Sequence, residues 1–160
     1  MRLLRFFNRQ KCRGLSVALL RRVAKHILEE SRARGDYELG IHLIATAEMT
    51  DLNETFLGHA GSTDVITFDH QEGAHDGHLH GEIFISVDDA VAQAGRFGAT
   101  WQSEITRYLA HGILHLEGYN DTEPGLRRTM KREENKLVKE LSGKFDLGKL
   151  GRAKNVSASK

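Results

Sequence analysis

The spacing of apolar residues changes several times along the chain, and each change marks an element. Leu3 to Phe7 is a short apolar run with Arg5 in its middle and reads as a first strand, broken by Asn8-Arg9-Gln10. From Ser16, a residue type that caps helices, Val17, Leu20, Ala24, Ile27 and Leu28 recur at helical spacing until Gly35 and Asp36. Leu39 to Ile44 alternates as a half-buried strand does, with Leu39, Ile41 and Leu43 on one face. Thr46 to Phe56 reads as a second helix with Met49, Leu52 and Phe56 on one side. Val65 to Phe68 and Glu82 to Ser86 read as two more strands. Residues 69–80 between them, rich in Asp, Gly and His, read as a loop. Val87 to Phe97 suits a helix ended by Gly98. Thr100 caps a longer helix through Leu116, and Gly118 closes it. Leu126, Met130, Leu137, Val138 and Leu141 mark a last helix, with Pro124 tolerated in its first turn. Beyond Gly143 the chain turns polar and basic and is expected to fray. No repeat or linker interrupts this series, so one domain over 1–143 and a flexible basic tail over 144–160 are expected. Helices flanking a few strands predict an α+β or α/β sandwich.

Composition narrows the class. With 160 residues, 39% hydrophobic and 28% charged, the chain suits one globular domain with a sizeable core. No apolar run nears the ~20 residues that cross a bilayer. Arg5 and Arg9 interrupt the start, and no small-residue cleavage site follows, so the cytoplasm is the expected location and no membrane partner is expected. Cys12 is the single cysteine, which excludes an internal disulfide and a thiolate metal cage. Any metal must then be held by imidazole and carboxylate. The net charge of +1 hides a strong asymmetry. Residues 1–34 carry +8, residues 35–123 carry −14 and residues 124–160 carry +7. Basic ends fit a polyanionic partner, or two solvated terminal helices.

The chemistry concentrates in His111-Gly112-Ile113-Leu114-His115-Leu116-Glu117-Gly118-Tyr119-Asn120-Asp121. Histidines four apart on a helix project from one face, one turn apart, and can reach one ion. A bare pair of this kind is more often two core histidines satisfied by carbonyls. The continuation changes that balance. Gly118 can take positive φ and turn the chain back, so that Asp121 presents a carboxylate to the same point. Two imidazoles, one carboxylate and an open fourth position describe a catalytic metal site, with His111, His115 and Asp121 as ligands. The spacing matches that of metzincin proteases, where the residue after the first histidine is the Glu that acts as general base. Here it is Gly112, which cannot take a proton.

The same run resembles the signature of the YbeY family, His-Gly-x-Leu-His-Leu-x-Gly-Tyr-Asp-His, matching every fixed position through Tyr119. Leu52-Asn53-Glu54-Thr55-Phe56 followed by Ser62-Thr63-Asp64-Val65-Ile66-Thr67-Phe68 is similar to a second family segment. Gly81-Glu82-Ile83-Phe84-Ile85-Ser86 is similar to a third. With Asn8-Arg9-Gln10, the resemblance extends over most of residues 1–142. It implies a zincin-like α+β fold: a three-layer sandwich in which a small mixed sheet of about four strands is flanked by helices, with the metal site on a helix and the following turn. It further implies one zinc ion and endoribonuclease activity on single-stranded RNA. The implied role is maturation of small-subunit ribosomal RNA and ribosome quality control, with an rRNA precursor and the small ribosomal subunit as partners. Arg9, Lys11, Arg13, Arg107, Arg127 and Arg128 are then the candidate RNA contacts. Three positions depart from the family pattern. Asp121 replaces the usual third histidine, which zinc tolerates. Leu57 stands where an Arg is common, removing a charge a phosphodiester transition state would use. Ser62 stands where Pro is usual. Two other readings share these residues: a peptidase or amide hydrolase, and a non-catalytic RNA-binding ribosome-assembly factor with structural zinc.

Several other residues invite a role. His70, His75, His78 and His80 offer a second metal site or a flap, but their irregular spacing reads better as a solvated loop. Glu82 and Asp64 are candidates to orient a ligating histidine, or to cap a turn. Tyr119 reads as packing its turn, Asn53 as bracing a loop, and Cys12 as inert.

Overall fold

A computed structural model describes residues 1–71 and 77–152. In chain order it contains β1 (Arg2–Asn8), β2 (Gly14–Leu15), α1 (Val17–Lys25), β3 (Asp36–Ile44), α2 (Thr46–Phe56), β4 (Val65–Asp69), β5 (His78–Ser86), α3 (Val87–Phe97), α4 (Trp101–Leu116), α5 (Pro124–Lys144) and β6 (Gly151–Arg152). Four strands pair in the order β1-β3-β5-β4. β1, β3 and β5 run parallel, and β4 closes the edge antiparallel to β5. Strand alternation then divides the side chains between two faces. Leu39, Ile41, Leu43, Ile83 and Ile85 meet Leu20 and Val23 of α1, Ile27 just beyond it, and Ile105, Leu109 and Ile113 of α4 in one core. On the other face Ile44 and Ile66 pack with Met49 of α2, beside Phe68 and Phe84. Helices, sheet and α2 make the expected three-layer α+β sandwich with its four-stranded mixed sheet.

α4 is held close to the sheet by two glycines. A Cβ on Gly112 would stand 2.7–2.9 Å from the Ile83 side chain, and one on Gly81 would stand 2.6 Å from Leu116. Atoms do not approach so closely, so both positions require glycine for the helix to lie where it does. Thr100 caps the start of α4 by accepting from the Ser103 amide. At its other end Gly118 takes φ 103°, the positive value expected of it.

The structure corrects four boundaries. α1 ends at Lys25, and His26–Ser31 continues as a π-helical stretch instead of an α-helix running to Gly35. Its end bonds there run from Arg32 to Ile27 (2.8 Å) and from Arg34 to Leu28 (2.6 Å). β3 begins at Asp36, three residues before Leu39, because β1 and β5 flank it and accept its backbone despite polar side chains. The expected 69–80 loop is shorter for the same reason. His78 and His80 are strand residues opposite Asp36 and Glu38, with Leu79 buried between them. His75 lies outside the described residues. Finally, the chain does not fray at Gly143. Leu147–Leu150 form a 3₁₀ turn with Leu147 and Leu150 buried, and β6 pairs antiparallel with β2. Residues 153–160 of the expected tail lie outside the described residues. Among the described residues no helix is long and apolar enough to cross a membrane.

Candidate metal centre

α4 brings His111 and His115 onto one face one turn apart, as the spacing requires, and the turn after it returns Asp121 to the same point. The two Nε2 atoms are 3.0 Å apart. Asp121 Oδ2 lies 3.7 Å from His111 Nε2 and 3.5 Å from His115 Nε2. Bonds of 2.0–2.1 Å in a tetrahedral zinc site place ligand atoms about 3.3 Å from one another, and the three separations bracket that value. Among the described residues this is the one trio of His, Cys, Asp or Glu donors lying within 4.8 Å of one another.

The opposite ring nitrogens are already in use. His115 Nδ1 is 3.1 Å from the Tyr119 carbonyl oxygen, which can only accept, so Nδ1 carries the proton. His111 Nδ1 donates likewise to Glu134 Oε1 at 2.8 Å. Burial, and then the neighbouring His111, push the His115 pKa below its ordinary value, favouring the neutral ring. With both Nδ1 atoms turned outward to acceptors, the two Nε2 atoms face each other across 3.0 Å with the Asp121 carboxylate beside them. Three donors converging on one point, with the outer ring nitrogens already bonded, fit a metal ion.

Glu134 is the residue the sequence reading missed. It lies on α5, 4% exposed, and also accepts from Arg107 Nη1 (2.5 Å) and Lys131 Nζ (3.1 Å). Burial alone would raise its pKa, but hydrogen bonds from His111, Arg107 and Lys131 lower it to about 2. A signal was present: Glu134 occupies the helical seam of Met130, Leu137, Val138 and Leu141, where an apolar residue belongs. Neither earlier candidate bonds His111 or His115. Glu82 bonds His42 (2.7 Å) and His70 (2.9 Å) on the far face of the sheet. Asp64 lies beside the site, its Oδ1 accepting from the Val65 amide at 2.8 Å.

The turn that carries Asp121 is tied to the segment after α1. The Glu117 side chain, 2% exposed, accepts from Arg32 Nε and Arg34 Nε, each at 2.8 Å. Arg32 also donates to the Tyr119 hydroxyl at 3.3 Å. Tyr119 thus packs its turn as expected, and its carbonyl adds the orientation of His115. Asn53 braces a loop as expected, its Nδ2 donating to the Gly61 carbonyl at 2.9 Å.

Two hollows, of about 360 and 450 Å³, have His111, Asp121, Asp64 and Val65 in common, so the trio lies along a groove between α5 and the β4 edge. Arg107 and Arg127 line it, and Arg128 is exposed on the same helix as Arg127. Arg107 is not loose: Glu134 and Asn135 hold its guanidinium. Arg9, Lys11 and Arg13 follow β1, at the opposite edge of the sheet, and line neither hollow. Arg9 is bonded to Glu48 and His42 instead. Leu57 lines the second hollow, presenting an apolar chain there.

Comparison with known proteins agrees with the motif. A family model described as endoribonuclease YbeY matches residues 6–142. The chain is similar to proteins named endoribonuclease YbeY from three bacteria. With the Bacteroides thetaiotaomicron protein it is 39% identical over 101 residues, 63% of this chain and 72% of that one. With the Anaeromyxobacter protein identity is 35% over 127 residues, 79% and 66% of the two chains. With the Salinibacter ruber protein it is 31% over 134 residues, 79% and 83%. A Thermotoga maritima protein solved in solution superposes with a TM-score of 0.63 at 29% identity, covering 89% of this chain and 91% of that chain.

Proposed function

Because the chain belongs to the YbeY endoribonuclease family, we propose that it is a cytoplasmic endoribonuclease that cleaves single-stranded RNA in the maturation of small-subunit ribosomal RNA, using one zinc ion held by His111, His115 and Asp121. The observation that carries this reading is the convergence of three donor atoms whose histidines have their other nitrogens already bonded. When bound, such an ion supplies Lewis acidity to the groove.

The chain's own residues supply position and charge. Glu134 and the Tyr119 carbonyl hold the two rings with Nε2 facing inward. Arg127 and Lys131 line the groove beside Asp121 and would attract the phosphates of a strand lying along α5, with Arg128 extending that path. Arg9, Lys11 and Arg13 would engage a more distant part of a large RNA such as the small ribosomal subunit. Leu57 leaves the groove without a cation at that point, so this enzyme would rely on the α5 side for charge. A peptidase reading is not favoured. The position after His111 cannot hold a Glu, because Gly112 is pressed against Ile83.

The test offers single-stranded RNA and casein to zinc-loaded, untagged protein, alongside His115→Ala and Asp121→Ala. RNA should be cut and casein spared, both variants should lose the zinc and the cleavage, and RNA affinity should fall steeply as salt rises. A folded His115→Ala variant that cleaves as well as the parent would sink the proposal.

A further inference from the structure

The open face of the sheet, opposite α4, carries a second gathering of metal-ligand side chains. Its basis is strand register, not loop chance. Beyond the pair Asp69 and Gly81, the His70 amide donates to the His80 carbonyl at 2.8 Å, so these two residues stand opposite each other where β4 and β5 meet. Opposed residues hold their Cβ atoms about 4.5–5.5 Å apart, and the two imidazole rings are 5.3 Å apart. His80 and Glu82 are two apart on β5 and share a face. On the neighbouring strand, β3, Glu38 stands beside His80 and Gly40 beside Glu82. Gly40 has no side chain to cover Glu82, and a hollow of about 210 Å³ opens there.

Polar atoms already meet in this hollow. His70 Nε2 lies 2.9 Å from Glu82 Oε2, and His80 Nε2 lies 3.8 Å from Glu38 Oε2. The other Glu82 oxygen takes His42 Nε2 at 2.7 Å. His42 is itself 8% exposed and stacked between Phe7 and Phe84, at ring separations of 4.7 and 4.0 Å. Glu82 is therefore aimed by a buried partner, as carboxylates that bind metals commonly are. The four outer side chains remain between 38% and 41% exposed, so an ion can reach them.

We propose that His70, His80 and Glu82, with Glu38 alongside, form a second binding site for a divalent transition-metal ion, separate from the centre on α4. Two imidazoles and two carboxylates suit zinc, nickel or copper over magnesium or calcium. The donors are spread wider than in the α4 trio, so binding here requires the exposed His80 ring to turn toward Glu82. Arg5 at the rim of the hollow is the competing cation. This site does not depend on the endoribonuclease reading.

The experiment titrates Zn²⁺ into untagged, metal-free protein by calorimetry at neutral pH. The wild type should bind two equivalents. The His70→Ala/His80→Ala variant should keep one, the His111→Ala/His115→Ala variant should keep the other, and the fourfold variant should bind none. Retention of the α4 equivalent shows that the His70→Ala/His80→Ala variant is folded. Glu82→Gln offers a milder change, expected to weaken the second equivalent at least about tenfold. One equivalent in the wild type, or two in the His70→Ala/His80→Ala variant, overturns the proposal.

Discussion

At the scale of single residues, the proposed centre depends on atoms outside its three donors. Glu134 contributes through His111, whose ring it holds in the Nδ1-protonated form. Glu134→Gln keeps the shape of the side chain and removes its charge. It should weaken zinc binding about 10–100-fold while leaving the fold intact, as measured by competition with a chromophoric chelator. Unchanged affinity would mean that the carboxylate serves only Arg107 and Lys131. The residue was legible only as an anomaly, a charge in an apolar seam, because its partner lies 23 positions away in sequence. The three proposed ligands were legible because helix geometry and one glycine turn place them locally.

At the scale of elements, the segment after α1 and the turn after α4 are clamped by Glu117. Removing one partner from a buried ion pair strands the other charges. Glu117→Ala should lower unfolding stability by about 3 kcal/mol in urea melts and loosen the proposed metal site, since Tyr119 and Asp121 share that turn. A loss too small to measure would show the clamp to be solvent-screened. β3 is joined to the π-helical stretch in a similar way. Tyr37, 1% exposed, donates its hydroxyl to Glu29, and burial followed by that carboxylate raises the phenol pKa to about 12. In the unfolded chain the phenol ionises near 10, so between those values the folded state holds the proton more firmly. Its contribution is whole below about pH 10 and is lost as pH rises toward 12. Urea midpoints should therefore decline over that window, and the decline should shrink in Tyr37→Phe. A midpoint equally steep in both proteins would count against the bond.

At the scale of the molecule, the stretch beyond α5 belongs to the core. Leu150, fully buried, should cost about 2–5 kcal/mol when changed to Ala, whereas a fraying tail would tolerate the change at about 0.5 kcal/mol or less. Urea denaturation distinguishes the two. Local pattern alone determined the number and order of the main helices and strands, their apolar faces, and the convergence of His111, His115 and Asp121, because helical period, caps and turn glycines act within a few residues. Tertiary structure decided whatever depends on a distant strand or helix. Asp36 and His78 become strand residues because they face each other in a parallel pair. Glu134 reaches His111 only when α5 lies on α4. Arg9 turns to Glu48 and away from the groove. Period and composition record a residue's own preference, but a backbone ladder or a buried charge is satisfied only by what the fold brings beside it.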